Sequence, residues 1–311
     1  MQVSLKMPKT IVTSVYNTEK YLPLCINSIL PQLNPDDEWL VIDDASTDSS
    51  SKILTETPGI NLIRNSENLK LPASLNKAIQ MAKNKYIARM DADDICLPGR
   101  FDEQEKFLEK NPEIDIVGTA ALIIDENGKK IRPYKAISDH LRIKWKMLFS
   151  NPMIHPSVMA RAEVFKSNPY NTSFPNSQDY ELWSRLMFEK GVKFANINRP
   201  LLLYRIHKSS TTANRDLEKN KLSLNISISN IKRYLNPGNT ELDVYSSFRL
   251  GLKISLFELL ILDRFYLRCY SAFVKKENLT IAKKIRIFLD LTKSFKFSAK
   301  QYIKGLIKRK A

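Results

Sequence analysis

Hydrophobic and polar positions in the first 120 residues alternate between a strand-like and a helix-like pattern. Short apolar runs, typical of buried strands, occur at 10–15, 38–42, 60–64, 85–88 and 114–118. Between them, apolar residues recur at helical spacing over about 19–30, 73–83 and 98–109, and Thr18 is the predicted cap of the first helix. Repeated βα units of this length predict an α/β fold, with a mostly parallel sheet and helices on both faces.

The regular alternation ends near residue 120. The run Asp125-Glu126-Asn127-Gly128 lies between apolar stretches and predicts the turn of a hairpin. Helices are predicted at 138–150, from Gln178 onward, and through most of the chain after about 215. The predicted domains are 1–210, with halves of about 8–120 and 121–210, and a helical region at 211–311.

Charge is concentrated at the C-terminal end of this 311-residue chain, whose net charge is +16. Residues 275–311 contain twelve lysines and arginines against Glu277 and Asp290, and therefore carry +10. The 43% of hydrophobic residues and 26% of charged residues indicate an ordinary folded protein and exclude an intrinsically disordered one.

Three cysteines, Cys25, Cys96 and Cys269, are too few and too scattered for a disulfide framework or a zinc site. No long apolar segment resembles a secretory signal, and the run 252–262 is too short to span a bilayer. We expect a cytoplasmic protein, either free or peripheral on the inner face of the membrane.

Acidic side chains are unusually dense at Asp91-Ala92-Asp93-Asp94, directly after the apolar run that ends near Ala88. On an extended segment, side chains at i and i+2 point the same way, so Asp91 and Asp93 can converge on one cation. Carboxylates suit Mg²⁺ or Mn²⁺, whereas an ordinary acidic loop or helix cap is the alternative.

Polar residues also follow the first two predicted strands. Tyr16-Asn17 follows the first, and Asp43-Asp44 follows the second. Ligands of open α/β sheets bind at the carboxyl ends of the strands, so these residues and the Asp91–Asp94 run are predicted to share one site.

Five motifs in order over about residues 8–210 resemble inverting glycosyltransferases of family 2, of the bacterial surface-polysaccharide type. They are Val15-Tyr16-Asn17, Ile42-Asp43-Asp44-Ala45-Ser46-Thr47-Asp48, Asn68 to Ala78, Asp91-Ala92-Asp93-Asp94 with Leu97-Pro98 and Arg100, and Gln178-Asp179-Tyr180-Glu181-Leu182-Trp183. The resemblance implies a GT-A fold, with nucleotide-sugar binding in the first half of the catalytic domain and acceptor binding in the second.

The resemblance also implies roles for the donor-side residues. Asp43 or Asp44 would accept a hydrogen bond from a base imide, beside Tyr16 and Asn17. Asp93 and His207 would bind Mn²⁺ or Mg²⁺, and Asp91 would contact the ribose or the metal shell. Lys77 and Arg89 would neutralise phosphates. These roles are implied by the resemblance to the family and not by the spacing of the residues alone.

Asp179 is the implied general base, which removes the acceptor hydroxyl proton during inversion. Gln178 stands where the family has Glu, and Ala45, Lys70 and Ala78 stand where it has Gly. His155 is expected to line the acceptor region.

The predicted reaction moves a sugar from a nucleotide-diphosphate sugar to a saccharide or lipid-linked acceptor, and the expected donor is a UDP-sugar. A nucleotidyltransferase is one alternative, although Tyr16-Asn17-Thr18-Glu19 replaces its Gly-rich loop; a non-catalytic nucleotide-sugar-binding relative is the other.

Basic, partly apolar helices over 281–289 and 295–307 predict contact with an anionic membrane surface. No nucleic-acid motif accompanies them, and no nucleic-acid partner is expected.

Overall fold

The computed structural model describes residues 7–207 and 217–307. The chain divides into two compact units, one of Met1–His140 with Pro152–Asn214 and one of Leu141–Asn151 with Arg215–Ala311. The predicted boundary at residue 210 lies outside the described residues, as do the basic residues at 308–310. Segment 141–151 belongs with the C-terminal helices, which the sequence did not indicate.

The first unit contains a nine-stranded sheet. Its strands are β1 (Lys9–Val15), β2 (Glu38–Asp43), β3 (Asn61–Arg64), β4 (Tyr86–Arg89), β5 (Ile95–Cys96), β6 (Ile116–Ile124), β7 (Lys130–Tyr134), β8 (Met159–Arg161) and β9 (Phe194–Arg205). Neighbouring strands run in the order β3-β2-β1-β4-β8-β6-β9-β5, and β7 pairs with β6.

The first four strands in that order are all parallel, which confirms the predicted βα pattern. Strand β8 then runs antiparallel to both β4 and β6, whereas β6 and β9 are parallel to each other. Strands β6 and β7 form the predicted hairpin, and Gly128 N donates to Asp125 O at its turn, at 3.0 Å. The parallel strands end together and place their following loops at one edge of the sheet.

The helices are α1 (Leu22–Ile29), α2 (Ser50–Thr55), α3 (Lys70–Met81), α4 (Arg100–Lys110), α5 (His140–Met147), α6 (Ala162–Ser167), α7 (Gln178–Glu189), α8 (Leu217–Lys232), α9 (Asn239–Arg249), α10 (Leu256–Lys276) and α11 (Ile281–Ile307). Most lie where the hydrophobic pattern predicted them. The predicted Thr18 cap is wrong: α1 starts after Tyr21, and Thr18 contributes its carbonyl oxygen, which accepts from Leu22 N at 2.9 Å.

A buried lysine lies at the start of β1. Lys9 Nζ is 3.0 Å from Asp37 Oδ2 and 3.4 Å from Glu105 Oε2, and the lysine side chain is fully covered. Burying a lone charge is very unfavourable, so these carboxylates compensate the ammonium group. The network ties β1 to α4, the helix that follows the Asp91–Asp94 run.

The second unit is helical. Trp145 and Phe149 pack edge to face, and Phe149 packs in the same way against Tyr266 of α10. A capping box starts α10, in which Glu258 N donates to Ser255 Oγ and Ser255 N donates to the Glu258 carboxylate. Within the residues that the structure describes, no helix has both the length and the apolar composition needed to cross a bilayer.

Candidate active site

Three carboxylates converge in the turn that follows β4. Asp91, Asp93 and Asp94 each place an oxygen within 4.8 Å of the others. The strand ends at Arg89, and Asp94 N donates to Asp91 O at 3.4 Å, which closes a turn. The expected extended geometry is therefore wrong, because residues 91–94 form a turn. The turn brings in Asp94 as a third carboxylate, which the i and i+2 argument had left out.

Burial and mutual repulsion raise the affinity of Asp91 and Asp94 for protons. Burial raises the pKa of Asp94 well above its usual value, and the charges of Asp93 and Asp91 raise it further. Burial also raises the pKa of Asp91; the Arg89 charge opposes this shift, and the charges of Asp93 and Asp179 add to it. A cation at this position would relieve the repulsion.

The end of β9 holds this turn in place. His207 Nε2 lies 2.9 Å from Asp93 Oδ2, so the structure brings together the two predicted metal ligands. Arg205 N donates to Asp94 Oδ1 at 2.8 Å, and Arg205 Nε donates to Asp93 O at 2.7 Å. The Arg205 guanidinium also lies 4.6 Å from the centre of the Tyr21 ring. Arg205 and Tyr21 are site residues that no motif in the sequence had indicated.

Arg89 is buried beneath the cluster and ion-pairs with Asp91. Its guanidinium is therefore placed to fix Asp91 rather than to meet a phosphate from solvent. Arg100, which is also fully buried, donates from Nη2 to Arg89 O at 2.7 Å. Two arginines thus hold the strand end from the protein interior.

Asp43 and Asp44 are both buried at the end of β2. Asp43 Oδ1 accepts from Ser46 N at 3.0 Å, and its Oδ2 lies 3.8 Å from Arg64 Nε. Asp44 Oδ1 accepts from Leu69 N at 2.9 Å and from Asn65 Nδ2 at 2.8 Å. Both bonds of Asp44 end on Oδ1.

Lys77 reaches this group indirectly. Its Nζ donates to Asn65 Oδ1 at 2.8 Å, and Asn65 Nδ2 donates both to Asp44 and to Ser74 Oγ, the latter at 3.0 Å. The predicted donor-side lysine therefore belongs to the hydrogen-bond network that orients the Asp44 carboxylate.

Tyr16 and Asn17 lie at the end of β1. Tyr16 is 46% exposed, which leaves its ring available to a ligand. Asn17 Oδ1 accepts from Thr47 N at 2.8 Å, and Asn17 Nδ2 donates to Thr47 Oγ1 at 3.2 Å. These bonds tie the first strand end to the loop after Asp44.

Non-glycine residues with positive φ are concentrated around the site. Asn17, Ala45, Lys70 and Ser177 have φ of 50°, 61°, 70° and 59°. Left-handed backbone is unfavourable for residues with a Cβ atom and often marks functional sites. Ala45 and Lys70 are two of the positions at which the family pattern has glycine, and the backbone geometry explains that preference. Ala78, the third, is buried within α3.

Asp179 lies in the first turn of α7, which starts after the left-handed Ser177. Its Oδ1 accepts from Tyr180 N at 2.9 Å. The Asp179 charge raises the pKa values of both Asp91 and Tyr170, so its carboxylate is within electrostatic range of the Asp cluster. Gln178 beside it is buried.

His155 is buried instead of lining a surface. Its Nε2 lies 2.7 Å from Tyr170 Oη, and burial, aided by the Arg89 charge, holds its pKa well below the usual value. The Tyr170 backbone in turn exchanges two hydrogen bonds with Asn76 of α3: Asn76 Nδ2 donates to Tyr170 O at 2.9 Å, and Tyr170 N donates to Asn76 Oδ1 at 2.8 Å.

Comparison with known proteins gives one consistent result. The family model described as Glycosyl transferase family 2 matches residues 10–168. An uncharacterized glycosyltransferase of Haemophilus influenzae is 31% identical over 309 residues, 88% of this chain and 95% of that protein. The O-antigen biosynthesis glycosyltransferase WbnJ of Escherichia coli is 34% identical over 208 residues, 65% of this chain and 81% of that protein.

Solved structures share the fold at low sequence identity. S. aureus TarS (residues 1–349) in complex with UDP-GlcNAc superposes with a TM-score of 0.60 at 15% identity, covering 96% of this chain and 92% of that one. The mannosyltransferase PcManGT of Pyrobaculum calidifontis, in complex with GDP-Man and Mn²⁺, gives 0.57 at 15% identity, covering 98% and 87%. Both similarities concern the fold.

Proposed function

The chain belongs to glycosyl transferase family 2, and from this premise we propose its reaction. It transfers a sugar from a UDP-sugar to a hydroxyl group of a saccharide or lipid-linked acceptor, with inversion at the anomeric carbon. The observation that carries the proposal is the carboxylate cluster of Asp91, Asp93 and Asp94 with His207 beside it and Asp179 within its electrostatic range. The name of the WbnJ relative supports a role in surface-polysaccharide synthesis.

The donor set fits a divalent cation. Asp94 Oδ2 is buried and accepts no hydrogen bond from the described residues, and burial raises the pKa values of Asp91 and Asp94. Oxygen ligands suit Mn²⁺ or Mg²⁺, and Asp93 with His207 would hold the ion, with Asp91 at its shell or at the ribose. When bound, the ion would neutralise charge on the departing diphosphate.

Asp179 acts as the general base in this proposal. As the acceptor oxygen forms its bond to the anomeric carbon, the bond from that carbon to the diphosphate oxygen breaks, and the hydroxyl proton passes to the Asp179 carboxylate. A single displacement of this kind inverts the anomeric centre. General-base catalysis contributes typically about 10²- to 10⁴-fold to the rate.

Asp44 is our candidate for base recognition. Since both of its hydrogen bonds end on Oδ1, Oδ2 is the oxygen that can accept from the imide N–H of uracil. Tyr16, with its exposed ring, would stack on the base, and stacking on an aromatic ring tolerates any base face. The choice of a uracil nucleotide therefore rests on Asp44.

The three buried, free cysteines are compatible with the cytoplasmic location that we infer.

The test is a donor panel assayed for hydrolysis and for binding, with Mn²⁺, with Mg²⁺ and with EDTA. We expect one UDP-sugar to turn over only with metal. Asp179→Asn should lose about 10²-fold or more of that turnover while donor affinity stays within twofold. Asp36→Asn, at an exposed aspartate of the same unit, is the matched control and should behave as the wild type.

Three results would overturn this assignment. Binding of no nucleotide sugar under any metal condition contradicts the transferase and also the alternative of a non-catalytic relative that binds nucleotide sugars. Turnover of Asp179→Asn equal to wild type contradicts the role of Asp179 as base. Release of pyrophosphate from a nucleoside triphosphate would indicate the nucleotidyltransferase alternative.

A further inference from the structure

Helix α11 has apolar residues on two different sides. Ile287 and Leu291 are buried, and so is Ser298 farther along the same side. Ile281, Ile285 and Phe288 are 76%, 56% and 44% exposed. Their steps of four and three residues align them along a second stripe, because a helix turns about 100° per residue. Packing within its own unit explains the first side and leaves the second unexplained.

Cationic side chains border the exposed apolar stripe. Arg286, Lys296 and Lys300 are all exposed, and none forms an ion pair with any residue in the described ranges. Arg286 directly follows Ile285, and is therefore about 100° round the helix from it. Lys296 and Lys300 project within about 80° and 40° of the direction of Arg286. Arg286, Lys296 and Lys300 thus form a basic ridge on one flank of the apolar stripe.

Acidic compensation on this helix is confined to one residue. Asp290 is the acidic residue of α11, against seven lysines and arginines in 281–307. Asp290 is itself engaged: it accepts from Arg142 Nε at 2.6 Å and from Lys293 Nζ at 2.7 Å. The rest of the ridge keeps its positive charge.

We propose that this face of α11 docks on an anionic lipid bilayer. Ile281, Ile285 and Phe288 insert at the boundary between headgroups and acyl chains, and Arg286, Lys296 and Lys300 contact the lipid phosphates. Such a helix lies in the plane of the interface, held by apolar burial and by attraction to acidic lipids. Charge decides the occupant, since a second copy of this +16 chain would be repelled.

The test measures co-sedimentation of the full chain with vesicles of pure phosphatidylcholine and of phosphatidylcholine with 30% phosphatidylglycerol (about one charged lipid in three). The triple variant Arg286→Gln, Lys296→Gln, Lys300→Gln should bind the anionic vesicles about 100-fold more weakly, because each basic side chain near such a surface contributes about fivefold. The pair Ile285→Ser, Phe288→Ser should lose at least about tenfold, because each buried methylene contributes about fourfold.

Matched controls separate this surface from general properties of the chain. Lys83→Gln, Lys106→Gln, Lys110→Gln removes the same charge from exposed positions of the first unit. Leu24→Ser, Ile131→Ser removes two apolar side chains that are 50% and 56% exposed there. Both controls should bind vesicles as the wild type does, and circular dichroism checks that each variant folds.

Several outcomes would overturn the proposal. They are no binding of the wild type to anionic vesicles, equal binding to neutral ones, and equal weakening by the lysine control. Concentration-dependent dimerisation in sedimentation velocity that Ile285→Ser, Phe288→Ser abolishes, without vesicle binding, would assign the face to a second copy. None of these readouts uses sugar transfer, so the proposal can fail or stand independently of the catalytic one.

Discussion

His207 Nε2 lies 2.9 Å from Asp93 Oδ2, although 114 positions separate the two residues. The contact joins the end of β9 to the turn after β4, and Arg205 reinforces it through its own bonds to Asp93 and Asp94. The end of the last strand therefore completes a site whose three carboxylates all come from the turn after β4.

Removal of His207 should weaken metal binding. We expect His207→Ala to raise the Mn²⁺ concentration needed for half-maximal nucleotide binding by about 10- to 100-fold, since it removes a ligand or its direct support. Calorimetric titration of Mn²⁺ in the presence of UDP measures this. His140→Ala is the control, because His140 accepts from Phe194 N and lies outside the cluster. Equal Mn²⁺ affinity of wild type and His207→Ala would contradict the assignment.

Glycine at position 45 should stabilise the protein. Ala45 has a φ of 61°, a conformation that costs an alanine about 1–2 kcal/mol and a glycine little. Glycine loses about 0.5–1 kcal/mol in unfolded-chain entropy, so Ala45→Gly should gain about 0.5–1 kcal/mol in urea unfolding. Ala73→Gly, within α3, should instead lose about 1 kcal/mol. A loss at both positions would mean that the left-handed geometry carries no strain.

The Lys9 network should be much more sensitive than an exposed ion pair. Lys9→Met leaves the buried Asp37 and Glu105 carboxylates uncompensated, and we expect a loss of about 3–5 kcal/mol in the free energy of unfolding. Lys85→Met breaks a pair whose side chains are 41% and 42% exposed and should change it by about 1 kcal/mol or less. Similar losses for the two variants, measured by urea unfolding, would refute this distinction.

Acid should destabilise the protein through His155. Burial, with the Arg89 charge, lowers the folded-state pKa of His155 well below 6.5, so the unfolded chain binds this proton first as the pH falls. The stability that neutral His155 contributes is full above about pH 6.5 and decreases by about 1.4 kcal/mol per pH unit below it, until the folded-state pKa is reached.

His155→Gln isolates this contribution. Between pH 7.5 and pH 5.5 the advantage of wild type over His155→Gln in urea unfolding should shrink by about 1.4 kcal/mol. An advantage that stays constant over this range would show that His155 keeps an ordinary pKa in the folded protein.

The local order of the chain made much of the fold predictable. Apolar runs placed the strands, and the strand ends located Asp44 and Asp91 at one edge of the sheet. Two features had no local signal. Strand β8 inserts between β4 and β6 by pairing residues far apart in sequence, and Arg205 reaches the Asp turn only because β9 crosses to it. The turn that contains Asp91, Asp93 and Asp94 could not be predicted either, since spacing alone does not distinguish an extended segment from a turn.

Helix α3 contacts residues from both of the predicted halves of the first unit. Leu69 N, just before the helix, and Ser74 within it belong to the network around Asp44. Asn76, two residues after Ser74, exchanges two hydrogen bonds with the backbone of Tyr170. Under the proposed function, a substitution in α3 is therefore expected to alter donor and acceptor recognition together. A recombination that exchanges one of these halves with a relative would separate Asn76 of α3 from its Tyr170 partner. We therefore expect donor and acceptor preferences to be inherited together.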